Sequence, residues 1–209
     1  MSWVVGRIDA VAPTAIERET RIRVGHAVTV ALAGVLGAAL LSGAVLVTGG
    51  VYRALANVGL VVAAASLLYV AWVSHVTYRR SEKAASTLVF AVGVVGLSIT
   101  GLTAILLAII SLTPITPPTE PFVSLRTLGI LVAGLWFVGL SALEYGIHVV
   151  STGVASFGFV TGLGAVTTGL GLLFGGLTHP VFLLGLATFV VGFVPWAVVL
   201  RSHLLASYD

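Results

Sequence analysis

Residues Ala84–Leu112 read AASTLVFAVGVVGLSITGLTAILLAIISL, a run without a single charged side chain. A bilayer's hydrocarbon core is crossed by about 20 apolar residues in helical form, and inside lipid only a helix or a closed barrel satisfies every backbone N–H and C=O. This run is therefore a membrane-spanning helix. Outward from it, charge returns in short clusters. Arg79, Arg80, Glu82 and Lys83 precede it, and Thr113–Ser124, with Pro114, Pro117, Pro118 and Pro121, follows it.

The same alternation of long apolar run and short polar break recurs along the chain. It gives spans at about His26–Thr48, Ala54–Thr77, Ala84–Leu112, Leu125–Val149, Val154–Gly176 and Val181–Leu200. Only 8% of the 209 residues are charged and 58% are apolar, against roughly 25% charged in soluble domains. The mean hydropathy is +1.16. A soluble fold is excluded, and the expected class is an all-α, polytopic transmembrane bundle of six spans. Three regions follow: an N-terminal segment 1–25 that includes the start of the first helix, a membrane domain 26–200, and a short tail 201–209.

Thr14 and Glu17 form a capping box after Pro13, so the first helix is expected to start near Ala15. Glu17–Arg21 and Glu19–Arg23 are acid-first i,i+4 pairs that support it. The apolar run beyond Val24 is too long for the core of a signal peptide and reads as a retained helix. The proline-rich stretch Thr113–Ser124 is expected to be stiff, extended and non-helical.

Basic residues beside the spans fall unequally. Arg7, Arg18, Arg21, Arg23, Arg79, Arg80, Lys83 and Arg201 flank one side, whereas Arg53 and Arg126 flank the other. The positive-inside rule makes the first side cytoplasmic, so the chain is expected in the cell membrane with both termini in the cytoplasm. The same rule accounts for the pI near 9.7 without a nucleic-acid partner. Nine of the ten basic residues being Arg, with abundant Val, Ala and Gly, fits a GC-rich prokaryotic genome. Spacing also hints at an internal repeat. Arg53 precedes His75 by 22 positions, Arg126 precedes His148 by the same distance, and the sixth span runs from His179 to His203. Three tandem helical hairpins are the corresponding expectation.

No P-loop, GxGxxG, HExxH or GxSxG motif is present. With no cysteine, disulfides and thiolate chemistry are also excluded. The one acid inside a span is Glu144, and an ionisable group at membrane depth is a functional candidate by default, costing at least ~2.5–3.5 kcal/mol at mid-bilayer. Its neighbours include Tyr145 and, one helical turn on, His148. His26, His75 and His203 are expected at the same membrane level. The candidate polar site is thus Glu144, His148, His75 and His26, suited to a proton relay, or to a metal or haem if several imidazoles converge. No cofactor is specified by these residues.

Buried Ser and Thr at Ser66, Ser98, Thr100, Thr103, Thr161, Thr167 and Thr168 are expected to bond their own helices. Trp3, Trp72 and Trp196 are expected as interfacial belt residues and Trp136 as core. The fifth span carries two small-residue stripes, Gly158/Gly162/Ala165/Gly169/Gly176 and Gly164/Thr168/Gly171/Gly175, which suit close helix contacts on two sides or a homo-oligomer face. Pro195 interrupts the sixth span.

The leading functional class is a small transporter, a channel-like unit or its membrane partner. The alternatives are an accessory subunit of a larger membrane complex, and a redox or metal-dependent membrane enzyme using the cytoplasmic-side histidines. The expected partners are the lipid bilayer and either further copies of the chain or subunits of a membrane complex. The orientation is tested with single cysteines: Ser2→Cys and Ser207→Cys should react with an impermeant thiol reagent only after permeabilisation, and Thr119→Cys without it. The reverse pattern would invert the topology.

Overall fold

The computed structural model describes residues 15–48, 50–113, 118–147, 150–177 and 179–205, of which 15–18, 41–48, 50, 203 and 205 are described as helix only. Six helices follow one another: α1 (Ala15–Thr48), α2 (Gly50–Tyr78), α3 (Lys83–Leu112), α4 (Glu120–Ile147), α5 (Thr152–Gly175) and α6 (Pro180–Leu205). All six are long and apolar enough to cross a membrane, so the protein is a multi-pass membrane protein. α1 starts at Ala15 and carries the Arg23–Glu19 ion pair that its sequence pattern predicts. The Glu17–Arg21 pair lies outside the described side chains.

One expectation is corrected at α4. Pro121, Phe122, Val123 and Ser124 are helical, not extended, because α4 begins at Glu120. The N–H groups of a first turn have no intrahelical partner, so proline is tolerated there, and Val123 N already donates to Thr119 O at 3.0 Å. Of the described part of that stretch only Thr113, Pro118 and Thr119 are non-helical; Pro114 and Pro117 lie outside the described residues.

Each helix packs against its neighbours in the chain, and α6 returns to pack against α1. The result is a closed ring in which contacts between successive hairpins, α2 with α3 and α4 with α5, are as extensive as contacts within them. Val24 near the start of α1, Tyr78 at the end of α2, Val154 at the start of α5 and Leu200 near the end of α6 share one buried cluster. The helices therefore alternate in direction, and the first and last helix ends lie at one end of the bundle, here the terminal end. Towards that end the ring is filled by Trp136, Phe137, Phe193 and Trp196, with Phe137 edge-on to Trp196 at 5.1 Å and Phe193 stacked on Trp196 at 5.7 Å. Trp196 is thus a core residue with no exposed surface, not a belt residue, whereas Trp72 is 54% exposed. The α1–α6 joint is looser than the others: a cleft of about 270 Å³ lies there between Thr29, Leu32, Ala197, Val198, Arg201 and Ser202.

Close backbone approach sets the helix spacing. On α5, Gly158, Gly162, Ala165 and Gly169 are buried on the α4 side, and Gly164, Thr168 and Gly171 on the α6 side. A Cβ at Gly162 would lie 2.7 Å from Gly134 O, and one at Gly134 would lie 2.9 Å from Gly162 O. Gly164 meets the backbone of Phe189, and Gly185 in turn meets the backbone of Thr168. Gly176, at the end of the first predicted stripe, instead caps α5 with φ 73°, a left-handed conformation that favours glycine. The buried threonines bond their own helices as expected: Thr100 to Gly96 O, Thr103 to Ile99 O, Thr161 to Phe157 O and Thr168 to Gly164 O.

These contacts order three substitutions. Gly162→Ala presses on backbone atoms that cannot yield and should cost about 1–3 kcal/mol or more. Gly169→Ala presses on the Leu131 side chain, which can turn aside, and should cost less. Gly37→Ala meets nothing within 4 Å and should gain about 0.5–1 kcal/mol from helix propensity alone. Thermal melting in detergent checks the order; a Gly162→Ala variant as stable as Gly37→Ala would overturn the packing described.

Candidate functional site

Glu144 lies on the last turn and a half of α4 and is 3% exposed. Three residues earlier, on the same face of the helix, stands Ser141, equally buried. α2 ends opposite them at Tyr78, whose hydroxyl donates to Glu144 Oε1 at 3.2 Å. From α6 comes the indole N–H of Trp196, and α5 leaves room for it with Gly158, where a Cβ would collide with Ser141 Oγ and lie 3.2 Å from Trp196 Nε1. Three polar atoms sealed in this region have no hydrogen-bond partner among the described residues: Glu144 Oε2, Ser141 Oγ and Trp196 Nε1. Buried polar atoms are almost always paired, so three orphans contributed by two helices, beside a carboxyl, mark the most unusual place in the bundle.

One turn before Tyr78 on α2, His75 is half-buried and stacked on Phe90 of α3 at 4.7 Å. Its Nδ1 is 3.1 Å from Ser86 Oγ, and the same hydroxyl donates to the His75 carbonyl at 3.2 Å. A hydroxyl has one proton, and the carbonyl can only accept. Both contacts are therefore satisfied only when Nδ1 carries the hydrogen and donates to Ser86. Beside His75 and Ser86, and reaching Tyr78, lies a cavity of about 10 Å³ that Trp136 also lines. That is about the room one water requires.

Of the residues singled out from sequence, Glu144 and His75 thus flank one small region, each bonded to a different hydroxyl. His26 is exposed on α1. His148 lies outside the described residues, as does the side chain of His203. Among the described residues no three of His, Asp and Glu gather closely enough to hold a metal ion. Sequence reasoning missed Tyr78, Ser141 and Trp196. Glu144 receives its bond from a tyrosine 66 positions away rather than from the adjacent Tyr145, which is 60% exposed. No signal in one sequence encodes that pairing, although Ser141 at i−3 from the acid was legible. No family model, no curated protein and no solved structure matches this chain.

The Tyr78–Glu144 bond makes a thermodynamic prediction. Tyr78→Phe strips a buried carboxyl of its one donor among the described residues and should cost about 1–3 kcal/mol. In a Glu144→Leu background, where nothing is left to bond, the same change should cost much less. Equal costs in the two backgrounds, read from a double-mutant cycle of melting curves, would show that the pair contributes nothing.

Proposed function

We propose that the protein is a small proton-conducting transport unit of the membrane, with Glu144 as the group that takes up and releases the proton. The observation that carries this reading is the sealed carboxyl with one oxygen bonded to Tyr78 and the other without a partner among the described residues. A carboxyl so placed is expensive to maintain in a bundle, and its chemistry is proton exchange. The route to it is supplied by His75 and Ser86, the water-sized cavity and the Tyr78 hydroxyl, all near the terminal end. Imidazole suits this part because one of its ring nitrogens can donate a proton while the other accepts one.

The donor set favours a proton over a larger cation. Calcium takes 6–8 oxygen ligands and magnesium an octahedron, whereas Glu144 is accompanied by two hydroxyls and an indole. Passage beyond Glu144 requires movement, since Trp136, Phe137, Phe193 and Trp196 fill the ring there. Transport units of this kind work by rearranging helices around a polar group inside the membrane.

The test is proton flux into vesicles reconstituted with the purified protein alone, driven by a potassium diffusion potential and read with an enclosed pH dye. Flux well above that of protein-free vesicles is expected, falling to the protein-free level in Glu144→Gln and slowed in Tyr78→Phe, with Gly37→Ala unchanged. Flux equal to the protein-free control, or retained in a folded Glu144→Gln, overturns the reading and leaves an accessory subunit as the better one.

A further inference from the structure

At the other end of the bundle a second charge is half-buried, and no acid among the described residues pairs with it. Arg126 is half-buried on the second turn of α4, and its Nη1 donates to Asn57 Oδ1 of α2 at 3.0 Å. Asn57 is itself only 4% exposed, and its Nδ2 donates to Arg53 O at 2.9 Å. A guanidinium only donates and a carbonyl only accepts, so the amide oxygen must face Arg126. Asn57 is thereby a fixed bracket. It orients the guanidinium and supplies no charge.

Each acid whose side chain is described can be placed against this cation. Glu19 on α1 and Glu82 just before α3 belong to the terminal end. Glu144 stands 18 residues further along the same helix, which is five full turns and about 27 Å away on the same face. Glu120 is at Arg126's own end, but it is exposed and six residues earlier, about 240° round the helix. Arg53, an exposed second cation, stands one turn from Asn57 on α2. A desolvated charge without an opposite charge is costly, and an Arg–amide bond compensates it only in part. Among the described residues Arg126 has one side-chain partner, Asn57, held through Nη1, and the residue is only half-buried, so further guanidinium donors remain for a ligand.

We propose that Arg126, held by Asn57 and assisted by Arg53, is a binding site for a phosphate oxyanion. The planar fork of guanidinium donors pairs with phosphate oxygens two at a time. Arg126 lies six residues, about 9 Å, inside the start of α4, a depth at which the phosphate can be that of a lipid headgroup or a free anion in the aqueous mouth. This site is separate from Glu144 and stands whether or not the bundle conducts protons.

The experiment is thermal melting of the purified full chain in detergent. Inorganic phosphate is compared with chloride at equal ionic strength, and mixed micelles of phosphatidylglycerol with micelles of phosphatidylcholine. A stabilisation of the parent by several degrees is expected in at least one pairing. Response to inorganic phosphate identifies a free anion, and response to phosphatidylglycerol alone identifies a lipid headgroup. Arg126→Gln should abolish the response. Arg126→Lys, which keeps the charge and loses the fork, should bind at least about tenfold more weakly. If Arg126 only ties α4 to α2, Arg126→Gln will melt lower than the parent and neither ligand will move the parent, which overturns the proposal. A response in Arg126→Lys equal to the parent's overturns it as well.

Discussion

Hydrocarbon around a bundle removes the ordinary reason for helices to cohere. A leucine facing lipid is as well solvated as a leucine facing another helix, so association rests on contact between surfaces that fit. In this protein the fit is made by backbone against backbone at Gly134 and Gly162 between α4 and α5, and at Gly164 and Gly185 between α5 and α6. Everything else depends on that spacing. α5 can lie between two neighbours because both its sides are small, and only with α5 so close can Ser141 of α4 and Trp196 of α6 meet beside Gly158.

Polar groups then act where packing alone is indifferent. α2 and α4 are not consecutive in the ring, yet they are joined at both ends, by Asn57–Arg126 at one and Tyr78–Glu144 at the other. Arg126 and Glu144 stand on one face of α4, and the residues between them on that face, among them Ala133, Phe137 and Leu140, belong to or pack against the apolar core. The two charges are too distant to neutralise each other, so each end of the bundle must deal with its own. One end holds a carboxyl with an orphan oxygen, the other a guanidinium with a neutral bracket.

The uncharged runs made the six helices legible, since lipid leaves the backbone few alternatives. Helix limits were legible where the sequence carries a capping signature, as for the start of α1 at Ala15. They failed at Pro121, because proline breaks a helix in its interior but suits its first turn, and composition does not distinguish the two. Of the site, Glu144 was legible because an acid in a span stands alone. Its partners were not, because Tyr78 sits at a helix end where any tyrosine is ordinary, and Trp196 follows Pro195 at a depth that suits an interfacial ring equally well. Rotation about the helix axis decides such cases, and α5 and α6, apolar almost all the way round, carry little periodic signal to fix it. Arg126 was read only as a topological charge; its burial follows from the inward turn of α4.

The joint between α1 and α6, with its cleft beside Arg201, sets the order in which the ring can be assembled. Five of its six joints link helices that leave the ribosome one after the other, so each can form as soon as its second member is threaded into the bilayer. The sixth cannot. Until α6 emerges the nascent chain is an open arc, with one flank of α1 bordered by lipid, and the last helix acts as the clasp. A clasp of limited contact is also the joint that yields with least loss, so lateral parting of the ring would begin there and leave the glycine-knit arc from α4 to α6 intact.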